Sequence, residues 1–143
     1  MRKIKNRIIY KDERGLIIDL LEGKKINAIT FVSQKKGRVR GNHLHKKTIQ
    51  WNYLIKGKIE LVTKKRNSKP KKIILFKGDL AETLKNEAHA TKALKDSEFL
   101  VFTQGPRSGR NYEKDKYDCA TLWAVLEHII NPNNLLQEIN KLL

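Results

Sequence analysis

A His-x-His pair, His43 and His45, lies in the stretch GRVRGNHLHKKTIQWNYLIKG, residues 37–57, with a glycine at each end. Alternate residues of a β-strand share a face, so this spacing puts both imidazoles on one side of a sheet. Gln50 follows five residues after His45, and the flanking Gly37 and Gly57 read as the ends of a hairpin. Two convergent imidazoles on a rigid strand can ligate a metal or move protons.

The surrounding sequence supplies the sheet. Residues 26–33, 50–55, 58–63, 72–76 and 98–103 are rich in β-branched and apolar side chains. Turn signals separate them: Gly23, Lys36-Gly37, Lys56-Gly57, residues 66–70 and Gly78-Asp79. Short strands at this spacing predict an all-β sandwich or barrel. With 143 residues, 39% of them hydrophobic, the chain can bury one core.

Three function classes are disfavoured. No apolar run approaches the roughly 20 residues of a membrane helix, and the basic N-terminus lacks the apolar stretch of a signal peptide. Cys119 stands alone, so no internal disulfide framework exists; these features place the protein in the cytoplasm. The net charge of +16 asks for an anionic partner, but Lys (23) far outnumbers Arg (8) and the basic residues are scattered. That pattern argues against a nucleic-acid interface, which leans on Arg for bidentate contacts, and suits a basic pocket mouth.

The character changes near Tyr112. Residues 1–112 hold 28 basic and 10 acidic residues, and residues 113–143 hold 3 and 5. In the second segment Leu135, Leu136, Ile139, Leu142 and Leu143 share one helical face, with Pro132 near its start and Asn131 as N-cap. The division is a β-domain over 1–112 and a helical tail over 113–143.

The spacing Gly37-x5-His43-x-His45-x4-Gln50-x6-Gly57 resembles the first cupin motif, with Gln in the place of Glu. Residues 78–93 resemble the second motif through Gly78 and His89. Asn86 stands where that motif has Gly, and Asn tolerates positive φ. Three of the four histidines thus fall at cupin ligand positions. The resemblance implies a small jelly-roll barrel with His43, His45, Gln50 and His89 in its mouth. It also implies a candidate site for one divalent ion such as Zn, Fe, Mn or Ni.

Arg40-Gly41-x-His43-x-His45-Lys46, with Gln50, further resembles the signature of the sugar-nucleotide 3,4-ketoisomerases. Asp12-x-Arg14-Gly15 resembles the opening of that group and of the related 3,5-epimerases. The Arg40–His43 portion resembles the zinc-containing cupin half of capsular-polysaccharide epimerase/reductases. These relatives serve surface-polysaccharide biosynthesis and act on nucleotide-linked 4-keto-deoxysugars. The resemblance implies a homodimer, with His43 and His45 as acid–base groups and Arg40 beside a developing oxyanion. Lys46, Gln50 and Arg107 would bind substrate. Metal-free acid–base catalysis and a metal-binding cupin, either a sensor or a metalloenzyme, with His43, His45, Gln50 and His89 as ligands both remain open.

Residues 117–143 resemble the fourth strand and following helix of a class I S-adenosylmethionine-dependent methyltransferase. The glycine-rich cofactor loop of such enzymes is missing, so no S-adenosylmethionine binding is expected. The sequence therefore predicts an all-β cupin jelly-roll barrel with a short α-helical C-terminal tail.

Overall fold

The computed structural model describes residues 1–106 and the backbone of a short strand, Lys114–Lys116. Nine strands lie in the first segment: β1 (Arg2–Ile4), β2 (Arg7–Asp12), β3 (Gly15–Asp19), β4 (Ala28–Gln34), β5 (Val39–His45), β6 (Ile49–Lys65), β7 (Lys71–Phe76), β8 (Leu80–Thr83) and β9 (Glu87–Gln104). Lys114–Lys116 is β10 and pairs antiparallel with β5. No helix occurs among the described residues, and none is long and apolar enough to cross a membrane. The expected tail helix lies outside the described residues, as do Arg107, Tyr112, Cys119, Trp123 and His128.

Two long strands organise the fold. β6 and β9 pair twice, Ile49–Lys56 against Glu98–Gln104 and Lys58–Lys65 against Glu87–Lys95. Register shifts at residues 54–59 mark a corner between these stretches. One wall consists of β4, the second half of β9, the first half of β6, β8 and β1; the other consists of β5, the first half of β9, the second half of β6, and β7. Strands that turn a corner in this way build a sandwich from one continuous ladder.

Gly57 occupies the corner with φ of 91°. A Cβ there would collide with the Asp96 carbonyl and the Ser97 hydroxyl, and would sit 2.7 Å from Ser97 Cα. Only Gly fits both the left-handed backbone and the close strand approach. The structure thus corrects the hairpin expected between Gly37 and Gly57. Gly57 bends a continuous strand, and β5 and β6 do not pair with each other because β9 lies between them.

The core fills the space between the walls. Leu54, Ala81, Phe99 and Val101 from one wall meet Ile59, Leu61 and Leu75 from the other, with Val32 and Ile73 packed alongside. Burying each large side chain contributes about 1.5–3 kcal/mol before entropy is counted. The β2–β3 hairpin is different: it forms its own two-stranded sheet and leaves Ile8, Ile9, Tyr10, Leu16 and Ile17 exposed.

Candidate active site

Strand pairing brings the three motif histidines together. His43 on β5 is in register with His89 on β9. Ring centroids lie 4.6 Å apart for His43–His45, 4.8 Å for His43–His89 and 5.4 Å for His45–His89. One ring nitrogen from each can be chosen so that all three lie within 4.8 Å of one another. The turn before β9 holds the arrangement, because the Asn86 amide donates to the His45 carbonyl at 2.8 Å. Asn86 has φ of 57°, the conformation expected at the Gly place of the second motif.

A bulge in β5 decides which side chains share the cavity. The register shifts between Gly41 and His43, and the intervening Asn42 has φ of 59°. Strict alternation would send Arg40 and His43 to opposite faces. With the extra residue, both line the same cavity. Gly41 is needed beside the bulge, since a Cβ there would come within 3.0 Å of the His89 carbonyl.

The cavity measures about 490 Å³ and lies between the two walls. Arg40, His43 and His89 contribute from one side, and Gln50, Asn52 and Phe31 from the other. Phe99, Val101 and Val32 also line it and tie it to the core. Gln50 and Asn52 are two apart on β6 and so present the same face; both are buried. Gln34 braces the wall by donating to the Arg38 and Thr91 carbonyls at 2.6 and 2.9 Å. The remaining expected residues are placed differently. Lys46 is exposed just past the end of β5, outside the described lining of the cavity. Trp51 faces away from Gln50 and donates from Nε1 to Glu82 at 3.1 Å, a packing role. Tyr53 shares the face of Trp51.

Hydrogen bonds assign the imidazole tautomers. His43 Nδ1 lies 3.1 Å from the Gly41 carbonyl, which can only accept, so Nδ1 carries the proton and Nε2 offers a lone pair. His45 Nε2 stands 3.0 Å from that lone pair and, in the metal-free protein, donates to it. His89 Nδ1 faces the Glu87 carbonyl at 3.4 Å, which also leaves its Nε2 lone pair available. Burial, with the nearby His43 and His45, pushes the His89 pKa down to about 3, so it stays neutral at physiological pH. Neutral imidazoles with Nε2 lone pairs suit both proton abstraction and metal ligation.

Proteins of known structure share this fold. The family described as polysaccharide biosynthesis C-terminal domain matches residues 10–103. The chain belongs to that family. No curated protein matches it in sequence. Among solved structures, this member of the polysaccharide biosynthesis C-terminal domain family is similar to a 3,4-ketoisomerase from Helicobacter canadensis. That match has 23% identity and a TM-score of 0.70, covering 87% of this chain and 96% of that one. A TDP-quinovose 3,4-ketoisomerase from Campylobacter jejuni matches at 21% identity and TM-score 0.69, over 80% and 92% of the two chains. A dTDP-4-dehydrorhamnose 3,5-epimerase from Sulfolobus tokodaii matches at 20% and 0.63, over 73% and 70%. At these identities the likeness establishes the cupin-like fold. The family match ends at residue 103, and none of the comparisons supports the methyltransferase resemblance of residues 117–143.

Asn52 is the site residue that the sequence motifs did not single out. Its signal was present, since any inward Gln50 implies an inward residue two positions later.

Proposed function

We propose that this chain is an isomerase or epimerase acting on a nucleotide-linked 4-keto-deoxysugar in surface-polysaccharide biosynthesis. One observation carries the reading: three imidazoles cluster together, and two of them, His43 and His89, line a cavity that also holds Arg40 and buried amides. The family match and the sugar-nucleotide isomerases and epimerases among the similar structures support it. A ketone at C4 acidifies the proton on an adjacent carbon. The His43–His45 pair takes that proton once the substrate displaces the hydrogen bond between them, giving an enediolate, and return of a proton at another position or face gives the isomer or epimer. His45, 3.0 Å away, shares the proton load. Arg40 stabilises the developing oxyanion or, with Lys46, holds the diphosphate. Arg107 keeps the role implied by the resemblance but lies outside the described residues. The reaction belongs to the cytoplasm, where a nucleotide-sugar pool and a lone cysteine are both at home.

The test is incubation with a dTDP-4-keto-6-deoxysugar in D2O, followed by NMR. Deuterium should enter the sugar at a carbon next to the ketone, with product formation. An unchanged, unlabelled sugar nucleotide would defeat the reading.

The three-histidine cluster also favours a metal-assisted version of the site. His43, His45 and His89 each offer one ring nitrogen within reach of the others, and Gln50 lines the cavity with His43 and His89, so these four residues would hold one divalent ion such as Zn, Fe, Mn or Ni. Such an ion would act as a Lewis acid on the substrate carbonyl. Elemental analysis of untagged, dialysed protein decides the matter. About one equivalent per chain, lost in His89→Ala, is the metal outcome; no metal leaves His43 and His45 in the acid–base role.

We further infer a homodimer. β4 pairs with β9 along one edge, has no described strand partner on the other, and exposes Ile29 and Phe31. An unpaired edge with exposed apolar side chains is surface that a second copy would cover. Sedimentation should give about twice the 16.7 kDa chain mass, and a monomer would refute the inference.

A further inference from the structure

The amide of Asn52 is the unusual group in the cavity. Its residue is only 5% exposed, its side chain lines the space in front of the histidines, and its Nδ2 has no hydrogen-bond partner. A buried amide donor is almost always paired, because leaving it unpaired sacrifices the bond it made to water. β6 also offers no structural reason for a polar residue here. The next inward positions, Leu54 and Ile59, are apolar and fully buried. A leucine at 52 would extend that core. An unsatisfied donor retained at such a position is the signature of a group waiting for a ligand.

The placement identifies what it waits for. Asn52 stands on the wall opposite His43 and His89, in register with Val101 on the second half of β9. A ligand between the walls therefore meets imidazoles on one side and the Asn52 side chain on the other, whose N–H reaches it when the amide turns about its last bond. An amide N–H is neutral and donates only, so its partner is an oxygen acceptor. We propose that Asn52 binds the carbonyl oxygen of the substrate sugar and holds it as that oxygen gains charge. This rests on the functional reading above. Proton removal by an imidazole on one wall pushes electrons onto the carbonyl oxygen at the other wall. A donor fixed there binds the enediolate more tightly than the ketone, which is the condition for raising kcat.

The experiment uses the full chain and the variants Asn52→Leu and Asn52→Asp. Leu replaces an unpaired polar group by an apolar one of similar size, so the ligand-free Tm should hold or rise. Turnover of the keto-sugar nucleotide should fall by about 10²–10³-fold in kcat with a much smaller change in KM, the range for loss of one oxyanion donor. Asp keeps the shape, replaces the donor with an acceptor, and should be at least as inactive as Leu. A fall of several degrees in the Tm of Asn52→Leu would show a structural role and overturn the assignment. So would a kcat within threefold of wild type. A wild type that turns over no keto-sugar nucleotide defeats the functional reading on its own, and the Tm arm still decides whether Asn52 is an unsatisfied donor.

Discussion

His43→Asn should lower deuterium exchange and product formation by about 10²–10⁴-fold, the usual contribution of a positioned general base. The substitution is chosen for its geometry. An Asn amide can still donate to the Gly41 carbonyl, which His43 Nδ1 engages at 3.1 Å, so the β5 bulge is kept while the Nε2 lone pair is lost. His43 is half-buried and lies outside both hydrophobic clusters, so stability should change little. The loss should fall on kcat rather than KM, because the proton moves only in the transition state. Steady-state kinetics with NMR detection reads both. Full activity in His43→Asn would remove His43 as the base. Loss of bound metal together with activity would move the histidines from acid–base groups to ligands.

The second large effect is structural. Gly57→Ala should destabilise the fold by about 2–5 kcal/mol, combining a left-handed backbone that disfavours Cβ with overlap against a neighbouring strand. The colliding atoms include the Asp96 carbonyl and Ser97 Cα, which belong to the backbone of β9 and cannot rotate away. Ser97 is further tied down, since the Lys58 amide donates to its hydroxyl at 3.1 Å. Thermal unfolding should show a fall of roughly 10 °C or more. Gly78→Ala is the control: its φ of 87° is similar, but nothing lies within 4 Å of the added Cβ. The control should therefore lose only the conformational part, about 1–2 kcal/mol. Equal losses in the two variants would mean that the corner relaxes and that the close approach of β6 to β9 is not needed.

Much of the site was legible because its chemistry lies in short, periodic segments. His43 and His45 share a face by strand alternation, and Gln50 and His89 follow from motif spacing. The Asn at 86 was readable as a positive-φ residue because few side chains tolerate that conformation. The all-β architecture followed in the same way from short β-branched runs between turn signals. These are local properties, set by a residue and its near neighbours in the chain.

What the sequence could not supply is pairing between distant segments. Residues 50–55 and 58–63 read as two strands with a turn at Gly57, but they are halves of β6, and the glycine is there because β9 passes within van der Waals contact. Likewise only residues 98–103 of β9 carried a strand signal. Its first half, which bears His89, is recognised as a strand only through its partners on β5 and β6. The bulge at Asn42 brings Arg40 to the same side as His43, and the unpaired amide of Asn52 exists only relative to walls that include β9, more than 30 residues away in sequence. Composition and spacing thus determined that this chain forms a sheet bearing clustered histidines. The tertiary structure decided which strands enclose them and which donor faces them. Strand pairing satisfies backbone groups of remote segments at once, and a local stretch of sequence does not encode its partner.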